Sequence, residues 1–187
     1  MNVDVAADPT DLLVVGAGPT GIAIGAEARA AGLDVMLLDR VPMLSNLLEV
    51  PTYMTFFTTR DLLEVAGSPV ALRHDKPDRR EAIAHYQSVA RQFQIPAAAH
   101  DAVLEPPRSD AGFEIKTRCG GGERLRQSRA VALATGYFHR PRRLSVPGED
   151  EPWVHSRYVE PYGHFGESVV IVGGGNSAAE TALDLWR

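Results

Sequence analysis

Residues 11–21 read DLLVVGAGPTG, and the fold is decided there. Leu12–Val15 is an apolar run of strand length, glycines at 16, 18 and 21 follow as G-x-G-x-x-G, and Pro19 opens a helix reaching about Ala31. In such a turn the first glycine permits the sharp bend and the second lets a pyrophosphate approach the main chain. The third lets helix and strand pack closely. The helix N-terminus offers unpaired N–H groups and a partial positive charge to phosphate oxygens. Small residues at Ala23, Gly25, Ala26 and Ala30 suit a helix lying against a sheet. A second apolar strand, Val35–Leu38, runs into Asp39, about 20 residues past the glycines, where an acid is expected to meet a ribose. Strand, turn, helix, strand and acid in this order predict a dinucleotide site on Gly16, Gly18, Gly21 and Asp39.

The 187 residues are 44% hydrophobic with mixed charges and a net charge of −5. That is a globular composition, enough for one domain or one and a half. The acidic balance and the lack of a basic run argue against nucleic acid as the main partner. The opening MNVDVAADPT is neither a signal peptide nor an anchor, and no apolar run is long enough for a membrane span, so a cytoplasmic protein is expected. A single cysteine, Cys119, allows no intrachain disulfide or dithiol pair.

Beyond Asp39 and Arg40, the run YMTFFTTR at 53–60 places Tyr53, Phe56 and Phe57 where they pack in the core or between domains, or cover a flavin. Arg60–Ala66 reads as a short helix, and 68–77 as irregular because of Pro69 and Pro77. Asp78 with Glu81 forms a capping-box signature, and Ile83, Tyr86, Val89, Ala90 and Phe93 recur at helical spacing. His85 beside that stripe reads as a surface or packing histidine. A strand at Ala97–Leu104 is expected, then an alternating strand at Phe113–Arg118, a Cys119–Gly122 hairpin turn and a return strand through Leu125. Cys119 on that turn reads as an incidental thiol. Ala130–Ala134 is expected as another buried strand, leading into Thr135 and Gly136. A proline-rich charged link spans His139–Pro152, and Ser168–Val172 is expected as a buried strand entering GGGNSA and a helix through Trp186.

Gly173, Gly175 and Ala178 repeat the G-x-G-x-x-(G/A) pattern, with Asn176 and Ser177 as polar contacts at the helix start. One such unit binds one dinucleotide. Two, separated by a β-rich excursion, suggest a flavin meeting a nicotinamide. The fold class is therefore α/β: a Rossmann-like FAD-binding domain with a β-rich excursion over 1–140, a linker over 141–167, and the start of a second Rossmann-like NAD(P)-binding domain over 168–187. No Ser-His-Asp, metal-ligand or paired-carboxylate set competes with this reading. His155, Tyr158, Tyr162 and His164 cluster in the linker as a packed aromatic group or as a proton donor near the flavin.

These segments resemble the thioredoxin-reductase-like flavoproteins of the pyridine nucleotide-disulfide oxidoreductase superfamily. PTYMTFFTTRDLLEVAG, KPDRREAIAHYQSVA, ALATGYFHRPRRLSVPGED and VVIVGGGNSAAETAL are most similar to the YpdA-type bacillithiol disulfide reductases. The resemblance implies FAD pyrophosphate at Gly16, Gly18 and Gly21, with Thr20 at the same turn, and the adenosine ribose at Asp39, beside Arg40. It implies a main-chain contact to adenine near Val103, flavin contacts at Thr135 and Gly136, and NADPH pyrophosphate around Gly173, Gly175, Asn176, Ser177 and Ala178, with NADH left open. The activity implied is electron transfer from NADPH through FAD to a disulfide or other small-molecule acceptor.

Two departures accompany the resemblance. Thr20 stands where that group carries a cysteine; a threonine can hydrogen-bond a phosphate or flavin atom but forms no mixed disulfide, so no catalytic residue is assigned. The second nucleotide unit also stops after one strand, one turn and one helix, which cannot bury their apolar faces alone. The expectation is that residues from Ser168 onward are loosely held, or pack on the first domain, a second copy or a complementing chain. The alternatives are a flavin monooxygenase-like enzyme, which ATGYFHRP also suits, and a truncated remnant without activity. The first normally carries a histidine-containing fingerprint before its second glycine motif, and Phe165–Gly174 holds none.

Overall fold

The computed structural model describes residues 4–5, 9–109 and 112–186. Its strands are β1 (Asp4–Val5), β2 (Thr10–Val15), β3 (Val35–Leu38), β4 (Ala97–Ala98), β5 (Ala102–Val103), β6 (Arg108–Ser109), β7 (Phe113–Cys119) and β8 (Gly122–Leu133). The helices are α1 (Pro19–Ala30), α2 (Ser45–Leu48), α3 (Arg79–Gln92) and α4 (Asn176–Trp186), with single 3-10 turns at Arg60–Leu62 and Tyr162–His164. All eight strands share one sheet in the order β4-β3-β2-β8-β7-β5, with β1 on β8 and β6 on β7. The β4-β3-β2-β8 part is parallel and the β8-β7-β5 part antiparallel.

The expected pairing of the first strand with Val35–Leu38 is present in parallel register, Leu12 on Val35 through Val15 on Leu38. Alternation along these strands sends residues to opposite faces. One face carries Val14, Val35 and Leu37 against Ile22 and Ala26 of α1 and Tyr86 and Val89 of α3. The other carries Leu13, Leu38 and Ile115, with Phe113, Met36 and Val131 beside them. Burying each such large apolar side chain is worth about 1.5–3 kcal/mol, so the two faces hold most of the fold's stability. The capping box of α3 forms as read: the Asp78 carboxylate accepts from the Glu81 N–H at 2.8 Å, and Glu81 accepts from the Asp78 N–H at 3.1 Å. The hairpin turn is Gly120-Gly121, with φ of 58° and 82°, the pair of positive values that a two-residue turn matched to strand twist requires.

Four expectations need correction. The two strands foreseen through Leu125 and over Ala130–Ala134 are one strand, β8. Its first half pairs antiparallel with β7 and its second half parallel with β2. Ser128 at the changeover is buried, its Oγ donating within reach of the Ala130 and Thr10 carbonyls. The single strand foreseen over Ala97–Leu104 is broken into β4 and β5, because His100 adopts φ of 58° and turns the chain between partners. The helix foreseen over Arg60–Ala66 is only one 3-10 turn. Ser168–Val172 is neither a strand nor buried, with Val170 87% exposed; among the described residues no other segment hydrogen-bonds alongside it, and an isolated strand is not stable.

Phe56 packs against the larger core cluster, whereas Phe57 is exposed. His85 is buried, and its Nε2 donates to the Leu63 carbonyl at 3.0 Å, a packing role. Among the described residues, no helix is long and apolar enough to cross a membrane.

Candidate functional site

The carboxyl ends of β2, β3 and β8 stand side by side, zipped by Gly16 N–H to the Leu38 carbonyl (2.7 Å) and Ala134 N–H to the Val15 carbonyl (2.8 Å). Ligands of open α/β sheets bind in the crevice outside such ends. Here it is a cleft of about 540 Å³. Of the residues read from sequence, Gly16, Gly18, Thr20, Asp39, Arg40, Val103, Thr135 and Gly136 all line it. Gly21 sits just behind, buried under the turn.

The three glycines are not equivalent. A Cβ on Gly21 would lie 1.9 Å from the Gly16 carbonyl oxygen, and one on Gly16, whose φ is 114°, would lie 2.2 Å from the Ala134 carbonyl oxygen. The chain's own backbone forbids a side chain at both. At Gly18 the backbone is ordinary, with φ of −80°, and a Cβ would meet only the Asn46 side chain, at 3.2 Å. Internal packing therefore does not require glycine there; the open space faces the cleft, as a ligand seated against the main chain would need. The α1 N-terminus has no side-chain cap, so its first N–H groups remain available to an anion.

Asp39 ends β3 with its carboxylate aimed back at the turn. Oδ2 accepts from the Ala17 N–H at 2.8 Å and Oδ1 from the Val41 N–H at 3.1 Å. Each oxygen keeps lone-pair capacity for a hydroxyl. The main-chain N–H of Asp101 donates to the Asp39 carbonyl at 2.9 Å, which brings β5 and Val103 to the same wall. These residues fit the adenosine diphosphate part of a dinucleotide cofactor.

Two polar groups of the cleft had no sequence signal. Asn46, on the short α2, lies over the Gly18 turn with a buried Oδ1 that has no hydrogen-bond partner among the described residues. Asp101 is a buried carboxylate paired with Arg126. Both reach the cleft through chain reversals that no local pattern specifies: Leu44, just before α2, has φ of 64°, and His100 precedes Asp101.

The second glycine set stands apart. None of Gly173, Gly175, Asn176, Ser177 and Ala178 lines the cleft, and all but Ala178 are exposed. The linker aromatics hold this unit. Tyr158 O–H donates to Asp184 of α4 at 2.5 Å, stacks on His164 at 6.2 Å and meets Tyr53 at 6.3 Å. Burial, and then the Asp184 carboxylate, push the Tyr158 phenol well above its usual range. Arg157 ties the same linker to Glu49 and to the Phe138 carbonyl. Tyr162 is exposed.

Residues 13–187 match the family described as pyridine nucleotide-disulphide oxidoreductase. The chain belongs to that family. It is 28% identical over 176 residues to the bacilliredoxin reductase Bdr of Bacillus subtilis, covering 94% of this chain and 53% of the relative. The solved bacillithiol disulfide reductase Bdr (YpdA) from Bacillus cereus superposes with a TM-score of 0.88 at 27% identity, over 96% of this chain and 56% of that one. An indole-3-pyruvate monooxygenase, YUCCA4, of Oryza sativa is 26% identical, over 98% of this chain and 46% of its own length. The chain thus spans about half the length of the relatives it matches. Pyridine nucleotide-disulphide oxidoreductases are redox flavoproteins in general, and the glycine turn and acid described above occupy the first part of the family match.

Proposed function

We propose that the cleft is an FAD site and that this chain is the FAD-holding part of an NAD(P)H-dependent flavin oxidoreductase acting on a disulfide or another small electron acceptor. The observation that carries the reading is Gly18: its own fold does not need a glycine there, and a bound diphosphate does. In this reading the turn and the α1 N-terminus hold the diphosphate, Asp39 orients the ribose, and Val103 meets adenine through its main chain. Thr135 and Gly136 line the end toward the flavin, and Arg40 adds positive charge at the rim. FAD, when bound, supplies the electron-accepting chemistry. NADPH, with NADH open, is the proposed donor, held around Gly173, Gly175, Asn176, Ser177 and Ala178.

The proposed organisation keeps 1–140 as the FAD-binding part, 141–167 as the linker and 168–187 as the start of the nucleotide unit. The apolar side chains of that unit are then covered by further polypeptide, whether of the same chain, a second copy or a complementing chain. The deciding experiment is to purify the protein, reconstitute it with FAD and pass it through gel filtration. A retained two-band flavin spectrum supports the reading, and a colourless protein overturns it.

The monooxygenase reading has support in the likeness to YUCCA4 and in the exposed Thr20 hydroxyl at the cleft, which offers no thiol for exchange. Oxygen consumption against disulfide reduction, at equal NADPH, separates the two. If the thiol of related reductases matters, Thr20→Cys in the assembled protein raises disulfide reduction without changing flavin content.

A further inference from the structure

Past the end of β8 the wall of the cleft is thinly held. The Ala134 N–H donates to the Val15 carbonyl, but Thr135, Gly136 and Tyr137, which line the cleft, make no hydrogen bond among the described residues. The next anchor is the Phe138 carbonyl, which accepts from Nη2 of Arg157 at 2.6 Å. Arg157 comes from the linker and does not itself line the cleft.

The same guanidinium reaches a second element. Its Nη1 bonds the carboxylate of Glu49, the residue that follows α2. α2 carries Asn46 to the cleft beside Gly18. It is seated there by the buried Leu44 and Leu47 and by the Leu44 N–H, which donates to the Ala17 carbonyl at 3.0 Å. One planar fork thus joins a firmly seated wall of the cleft to a loose one. With side chains 35% and 47% exposed, the Arg157–Glu49 pair by itself adds little stability. What the rigid fork supplies is direction, since its donors point two ways at a fixed angle.

The other end of the cleft needs no such tie. The sheet and its hydrogen bonds hold it, with Gly16 N–H on the Leu38 carbonyl and Asp101 N–H on the Asp39 carbonyl. Resting on the reading of the cleft as an FAD site, we propose that Arg157 is a positioning residue for the flavin half of the cofactor. It sets where Thr135–Tyr137 stands against α2, without touching the ligand. The adenosine diphosphate half sits on sheet-held residues and does not depend on it.

The test is calorimetric titration of the purified protein, freed of bound nucleotide, with FAD and with ADP, which lacks the flavin half. In Arg157→Ala, FAD should bind about fivefold more weakly, the size of one lost hydrogen bond, while ADP stays within about twofold of the parent. A general loss of structure would weaken both ligands alike, so the ratio of the two affinities is the readout. Should that variant be insoluble, Arg157→Lys decides. Its point charge lacks the fork, so FAD should weaken by about threefold with ADP unchanged. Equal losses for FAD and ADP, or no loss for FAD, overturn the assignment. A parent that binds neither ligand overturns the FAD reading itself, a separate failure.

Discussion

The protein carries the same glycine signature twice, and the two copies live in different surroundings. The strand that feeds the first turn, β2, is paired on both sides, with β3 and with β8, and its turn is closed by backbone contacts to the ends of both neighbours. The segment that feeds the second, Ser168–Val172, hydrogen-bonds no strand among the described residues, and its side chains are exposed. At the first turn an added Cβ strikes main chain within about 2 Å at two of the three glycines, whereas at Gly175 it meets nothing within 4 Å and at Gly173 only the Ala178 Cβ, at 3.4 Å. A fingerprint turn is fixed in place only where neighbouring strands hold it. The family pattern reports what each turn is for, and the packing around it reports whether the turn is held for that task.

Four substitutions would break or sharpen this contrast. Gly21→Val should have the largest effect, because a side chain 1.9 Å from the Gly16 carbonyl cannot be relieved without moving the turn. A loss of about 3 kcal/mol or more is expected, read as a collapse of the thermal midpoint or as insoluble protein. Gly18→Val should abolish flavin retention yet move the midpoint of the flavin-free protein by no more than about 4 °C, since only the Asn46 side chain must yield. If the two variants lose stability equally, the distinction between a packing glycine and a ligand glycine is wrong.

Tyr158→Phe should act locally. The hydrogen bond to Asp184 fastens α4 to the linker, so amide exchange over Asn176–Trp186 should quicken about fivefold while the sheet is unchanged. The same bond sets a pH dependence. Because the Tyr158 phenol is raised by burial and then by Asp184, its contribution is complete below its unfolded value near pH 10 and is lost only as pH climbs through the higher folded value. Protection of α4 should stay flat from about pH 7 to 9 and fall in stronger alkali; a fall already at neutral pH would count against the Tyr158 contact as the fastening. Gly175→Ala should do least, shifting stability by less than about 0.5 kcal/mol, as its Cβ would meet nothing.

Much of the first unit was legible because its signals are local. Strand, turn, helix and acid follow within thirty or so residues, and Asp78 with Glu81 announces α3 by side-chain chemistry alone. What stayed hidden depends on distant partners. The polar run Arg126–Arg129 reads as a break between two strands, yet the strand continues through it because Ser128 finds carbonyls to bond and Arg126 finds Asp101. Asn46 and Asp101 join the cleft only after the chain reverses at Leu44 and His100, two non-glycine residues with positive φ, of which only histidine has even a weak preference for that region. The apolar run Val169–Val172 was misread in the opposite sense. Its composition asks for burial, but burial needs a neighbour.

The shared strand also sets a timetable. Thr10 meets Ser128 across 118 positions, so the first glycine turn cannot be locked until Ala134 has left the ribosome. Until then β2 offers one bare edge and Gly16 lacks the Ala134 carbonyl that seals it. Contacts so far apart are closed late and slowly, and an open edge in the interim invites pairing with another nascent chain. Before Ala134 emerges the cleft therefore lacks its third wall, and only afterwards is it closed behind the glycine turn.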